Sequence, residues 1–204
     1  MTTDSLDISQ QYLRAFTKAE INEMPLRHYE GDIMVVRSES DLEEALDGMR
    51  ESSLLGFDTE TRPVFKKGKK PGPPSLLQLA TADCAYVFQL GVQPLAKGVC
   101  EIMANRRILK TGVAVRDDIL GLQRHFRFKP SGFVDLSDIT AKYGLQTHGL
   151  RNMAANLLGF RISKSAQCSN WAKDKLTRQQ IIYAATDAWI SRELYLALEE
   201  LGLT

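Results

Sequence analysis

Cysteine is scarce in this chain, and the few present form no pattern. Cys84, Cys100 and Cys168 are an odd set, widely spaced, and no CxxC occurs in the 204 residues. No disulfide framework is expected; three thiols in a reducing compartment fit better. Three histidines complete no zinc pattern with them. An excess of charge of one sign is also missing. Twenty-six Lys and Arg stand against 25 Asp and Glu, for a net charge of +1, so contact with a polyanion must come from local patches. No apolar run approaches membrane-spanning length. The opening MTTDSLDISQ lacks the charged n-region and apolar h-region of a secretory signal. The expected location is the cytoplasm, or the nucleus in a eukaryotic source, with no membrane partner. Internal repeats and low-complexity tails are absent as well.

What is present is an ordinary globular composition, 44% hydrophobic and 25% charged, in a chain long enough to bury a sizeable core. Residues 1–30 read as a helical lead-in, with Tyr12, Leu13, Phe16, Ala19 and Ile21 roughly on one face. Residues 31–204 read as the main domain. Ile33–Val36 is a short strand. Ser40-Asp41-Leu42-Glu43 matches a capping box and opens an amphipathic helix through Met49. A strand over Leu54–Asp58 follows, then a Lys-, Gly- and Pro-rich break, then a hairpin of Ser75–Ala80 and Ala85–Leu90.

Beyond the hairpin, strands and helices alternate. Helix is expected over Leu95–Asn105, strand over Arg107–Val113, helix over Asp117–His125 and strand over Phe133–Leu136. Helices follow at Asp138–Tyr143 and Leu150–Leu158, the second stopped by Gly159. A last helix opens with a second capping box, Thr177 to Gln180, and runs to about Leu201. Antiparallel strands followed by strand–helix alternation describe an α/β domain, a mixed β-sheet flanked by α-helices.

Four acids stand out. Asp58 and Glu60, in Gly56-Phe57-Asp58-Thr59-Glu60-Thr61, point to one side of a strand. Asp118 lies at the start of a helix shortly after Gly112. Asp187 lies four residues after Tyr183, on the same face of the last helix. Asp is a poor helix-interior residue, so its presence there points to a reason other than stability. Converging carboxylates without counter-ions would take up protons. Hard divalent cations relieve that, because Mg²⁺ and Mn²⁺ prefer oxygen ligands.

These residues resemble the DEDD superfamily of 3′–5′ exonucleases, whose fold is ribonuclease H-like. Asp58-Thr59-Glu60 matches the Asp-x-Glu motif. Gly112 through Asp118, with Leu122 following, matches the second. Tyr183 to Asp187 matches Tyr-x-x-x-Asp, the mark of the tyrosine subclass, which includes ribonuclease D and the Werner-type domain. Pro63, Phe65, Gly68-Lys69, Leu77-Gln78-Leu79 and Cys168-Ser169-Asn170-Trp171 look most like the Werner-type branch. The likeness covers roughly residues 33 to 200.

The resemblance implies a two-metal-ion hydrolysis of the terminal phosphodiester of nucleic acid with a free 3′ end, releasing nucleoside 5′-monophosphates. It implies Mg²⁺ or Mn²⁺, two per site, held by Asp58, Glu60, Asp118 and Asp187, with the Tyr183 hydroxyl orienting the attacking water. The register in Asp117-Asp118 favours Asp118 as ligand and leaves Asp117 a helix-start acid. The Werner-type likeness favours DNA. The alternatives are a ribonuclease D-like exoribonuclease or oligoribonuclease, and a catalytically silent nucleic-acid-binding protein on the same fold.

Substrate contacts are expected from the cationic segment Arg62–Lys70, through Lys66, Lys67 and Lys69. Phe65 either stacks on a base or packs under that loop. Leu77 is a candidate wedge at the terminal base, with hairpin core as the other reading. Arg151, at a helix start, is a candidate phosphate contact. His148 reads as a cap or surface residue, and Trp171 as packing.

Overall fold

The computed structural model describes residues 10–66, 68, 71–90, 96–147 and 149–204. It contains α1 (Lys18–Glu23), β1 (Asp32–Val36), α2 (Glu39–Glu51), β2 (Leu54–Thr61), β3 (Pro74–Ala80), β4 (Cys84–Gln89) and α3 (Lys97–Ala104). Then come β5 (Leu109–Gly112), α4 (Val115–Gln123), β6 (Phe133–Asp135), α5 (Leu136–Lys142), α6 (Leu150–Met153) and α7 (Arg178–Glu200). The strands form one six-stranded sheet in the order β1-β4-β3-β2-β5-β6. β3 is antiparallel to β2 and β4, whereas β5 and β6 run parallel to β2. This is the expected mixed α/β sheet.

Strand alternation separates the two layers. Leu55 and Phe57 of β2 join Leu77 and Leu79 of β3 in one core, packed with Met49 of α2, Val99 and Met103 of α3 and Leu122 of α4. On the opposite face, Leu54 joins Ile190, Leu194 and Leu198 of α7. α7, the longest helix, therefore covers one face while α2, α3 and α4 cover the other. Lys110 of β5 is fully buried, and its ammonium donates to the carbonyls of Ile102, Asn105 and Ile108 at 3.1, 2.7 and 2.7 Å. It thereby adds a buried donor to the Ile102 and Asn105 carbonyls at the C-terminal end of α3, where helix carbonyls lack the full set of intrahelical partners.

Three local expectations change. Among the described residues of the lead-in there is one six-residue helix, α1, capped by Thr17 with Glu20 as its reciprocal partner. The box that opens α2 is Ser38 with Asp41, two residues before the expected one. There the Ser38 hydroxyl accepts from the Asp41 amide at 3.1 Å, and the Asp41 carboxylate accepts from the Ser38 amide at 3.0 Å. Leu150–Leu158 is α-helical only through Met153 and continues as a π-helical turn, Ala154–Leu158, closed by left-handed Gly159. The second capping box, Thr177 with Gln180, stands as expected. No helix among the described residues is long and apolar enough to cross a membrane.

Residues 10–30 pack onto the sheet-bearing part. Leu26 bridges to Arg161, and the Tyr29 amide donates to the Thr186 hydroxyl of α7 at 3.0 Å. The Tyr29 hydroxyl donates to the Asp83 carbonyl at 2.9 Å.

Candidate active site

β2 carries two of the acids. Its odd positions fill the α2–α3 core, so Asp58 and Glu60 face α7. α7 reaches that face because residue 56 is glycine. A Cβ there would lie 1.8 Å from the Ala188 carbonyl oxygen and 3.0 Å from the Arg192 amide nitrogen. The helix backbone lies flush on the strand, and Asp187, next to Ala188, arrives beside the strand acids. Further bonds hold this stretch: the Ser191 hydroxyl donates to the Asp187 carbonyl at 2.9 Å, and the Thr111 hydroxyl to the Ser191 carbonyl at 3.0 Å.

One carboxylate oxygen from each of Asp58, Glu60 and Asp187 lies within 4.8 Å of the other two. Asp58 and Glu60 are half-buried and Asp187 is buried. Among the described residues no ion pair involves any of the three. Burial, then Asp187, Glu60 and Asp118, hold Asp58 well above the ordinary carboxylate range. Burial, then Asp187 and Asp118, push Glu60 up to about 9. Burial pushes Asp187 up to about 7, against a hydrogen bond from Tyr183. The chemistry of the donor set fits a hard divalent cation: three oxygens converge, and among the described residues none of them is in an ion pair.

Asp118 does not join this cluster. It sits in the first turn of α4, half-buried, and its carboxylate accepts a short hydrogen bond from the Thr59 hydroxyl. Thr59 alternates to the side of β2 away from Asp58 and Glu60, so the expected cage of four is here a cluster of three with a fourth acid beside it. Burial pushes Asp118 up to about 6, and the Thr59 hydroxyl opposes that rise. Asp117, its neighbour, is exposed. The start of α4 is fixed by Asp135, which accepts from the amides of Ala114 and Val115 at 3.0 Å each. Ala114 itself adopts a left-handed backbone, φ 57°.

Tyr183 lies one turn before Asp187, half-buried, with its ring 5.7 Å from that of Trp171. Burial, then Asp187 and Glu60, push its phenol far above the ordinary value. Trp171 is packed, as expected, in a core with Leu76, Val87 and Ala184. A cavity of about 310 Å³ joins Asp58, Glu60, Tyr183 and Asp187 to two cations, Arg151 and Lys164.

The expected substrate contacts divide. Arg151 lines the cavity, and its guanidinium also donates to Asn22 of α1 at 2.7 Å. Phe65 is 83% exposed, which removes the reading that it packs under its loop. Lys66 is exposed. Lys67, Lys69 and His148 lie outside the described residues. Leu77 follows the hairpin-core reading and not the wedge: it pairs with Thr59 across the strands, is fully buried in the α2–α3 core, and faces away from Asp58 and Glu60. It cannot wedge a base. Sequence reasoning also missed residues. Lys164 sits in an irregular segment with no periodicity to mark it. Thr59 was hidden inside the acid motif. Gln78, paired with Asp58 on the same face, is fully buried with both amide atoms unpartnered. Only the strand register reveals that pairing.

A mixed sheet that gathers clustered carboxylates against one long helix suits metal-assisted hydrolysis or phosphoryl transfer. Comparison with known proteins narrows this. Residues 33–202 match the family model described as "3'-5' exonuclease", and the chain belongs to that family. It is 30% identical over 191 residues to the mouse bifunctional 3'-5' exonuclease/ATP-dependent helicase WRN, covering 89% of this chain and 14% of that protein. It is 36% identical over 157 residues to mouse exonuclease 3'-5' domain-containing protein 2, covering 71% of this chain and 24% of that one. It thus spans a quarter or less of these two relatives. The solved EXO domain of Aedes aegypti Nibbler superposes with a TM-score of 0.76 at 26% identity, over 86% of this chain and 92% of that domain.

Proposed function

We propose that this protein hydrolyses the terminal phosphodiester at the 3′ end of nucleic acid, releasing nucleoside 5′-monophosphates, with Mg²⁺ or Mn²⁺ as cofactor and two ions per site. The observation that carries this is the convergence of Asp58, Glu60 and Asp187, none of them in an ion pair among the described residues, in a member of the 3′–5′ exonuclease family. These three acids would hold the cation, and Asp118 adds negative charge beside them. The cation supplies charge neutralisation for the attacking and leaving oxygens of an in-line displacement.

The remaining chemistry belongs to the chain's own side chains. Tyr183, with its phenol raised far above neutrality, keeps its proton and is a hydrogen-bond donor rather than a base. It holds the attacking water or a phosphate oxygen in line. Arg151 and Lys164 bring positive charge to the same cavity, where the scissile phosphate must sit. The exposed Phe65 and Lys66, in the segment that follows β2, fit contact with the nucleic-acid strand. DNA is the favoured substrate, on the Werner-type pattern of the motifs and the likeness to mouse WRN.

The test is digestion of matched 5′-labelled DNA and RNA oligonucleotides, single-stranded and with recessed 3′ ends, in Mg²⁺ or Mn²⁺ with and without chelator. Stepwise shortening from the 3′ end of DNA, abolished by chelator, is expected. Shortening of RNA alone would move the substrate to the ribonuclease D-like reading. No cation-dependent shortening of either would overturn the enzyme.

A further inference from the structure

A second cavity, of about 460 Å³, is also lined by the Tyr183–Asp187 pair. Ser163, Tyr183 and Asp187 line both cavities, so both adjoin one reacting centre. One wall comes from the lead-in: Leu26, Arg27 and His28. The facing wall comes from α7, with Arg178 and Ile182 among its residues. This lead-in wall is built in. The Arg161 amide donates to the Pro25 carbonyl and the Arg27 amide to the Arg161 carbonyl, each at 2.9 Å. Buried Tyr29 then fastens the segment to Thr186.

The lining has a distinct chemistry. Leu26 is 52% exposed, one of three large apolar side chains left so open among the described residues. Arg27 and Arg178 are exposed and, among the described residues, neither is in an ion pair. Asp187, already placed at the reacting centre, is the one carboxylate in the lining. An apolar surface flanked by two unpaired guanidiniums suits a nucleotide, with its flat base and its phosphate. A strand whose last phosphate lies at the acids must leave the centre through an opening, and this cavity adjoins it.

We propose that this cavity holds the nucleotides immediately upstream of the 3′-terminal one. Arg27 and Arg178 take backbone phosphates, while Leu26 and Ile182 lie against a base or sugar. The lead-in is then part of the substrate channel. This deepens the exonuclease reading and rests on it.

The test uses the full chain without divalent cation, so that binding is read apart from turnover. Fluorescein-labelled oligothymidylates of eight and of two nucleotides are titrated against wild type and an Arg27→Ala/Arg178→Ala variant. Arg106→Ala/Arg107→Ala, on the turn before β5, is the control. The cavity variant should bind the octamer about tenfold more weakly, with a salt slope reduced by about 1.4, at ~0.7 per single-strand phosphate contact. Its affinity for the dimer should fall far less, because the dimer's one phosphate is the scissile one at the acids, and its inhibition by thymidine 5′-monophosphate should match wild type.

Equal weakening of octamer and dimer, or an unchanged salt slope, would overturn the channel. Weakened monophosphate inhibition with unchanged octamer binding would make the cavity a product pocket and overturn it too. A wild type that binds the octamer through these arginines but never cleaves it would sink the exonuclease reading and leave the cavity standing.

Discussion

At the scale of single residues, the site depends on charge that the fold concentrates and does not neutralise. Asp58→Ala and Asp187→Ala should each abolish turnover on a labelled oligonucleotide while binding persists. Full activity in either would remove that acid from the mechanism. Tyr183→Phe deletes one hydroxyl and little packing. It should lower kcat ~10²-fold and leave the cation-induced rise in Tm intact; an unchanged kcat would end the tyrosine's role. Thr59 acts through Asp118. Its hydroxyl lowers the Asp118 pKa, so Thr59→Val should raise it further from about 6. The acidic limb of the pH–kcat profile should then move to higher pH. A limb that stays in place would show that Asp118 need not be ionised for turnover.

At the scale of elements, the contact that makes the site is α7 lying against β2 at Gly56. Any Cβ there meets helix backbone rather than a flexible side chain. Gly56→Val should therefore cost about 1–3 kcal/mol of stability by overpacking and separate Asp187 from the strand acids. Denaturant unfolding reads the first effect and the cation-induced Tm shift reads the second. Wild-type values for both would mean that the close approach is not needed. Leu77 gives the complementary lesson. Its hairpin was recognisable from alternation, but its face depends on pairing with Thr59, and the pairing register is set by tertiary contact.

At the scale of the whole molecule, three acids with raised pKa values tie stability to pH and to cation. Asp58, Glu60 and Asp187 titrate near 4 when unfolded but higher when folded, with Glu60 at about 9 and Asp187 at about 7. The folded state thus holds more protons than the unfolded one between these limits. Their contribution is fully present below about pH 4 and is lost as pH rises through about 7 and about 9. Cation-free protein should lose Tm between pH 6 and 9, and Mn²⁺ should raise Tm more at pH 8 than at pH 6. Thermal melts with and without chelator measure this. A Tm that is flat with pH and indifferent to cation would contradict the coupled cluster.

The sequence by itself determined the α/β class, nearly every strand and helix, and the three motifs that bear Asp58, Glu60, Asp118, Tyr183 and Asp187. Periodicity, capping and motif spacing are local, and they survive in one dimension. Only the tertiary structure decided which acids converge, because that depends on α7 pressing on Gly56, while Asp118 bonds to Thr59. It also decided that Leu77 belongs to the core and that the lead-in walls a cavity beside Asp187, since both follow from packing between segments far apart in the chain.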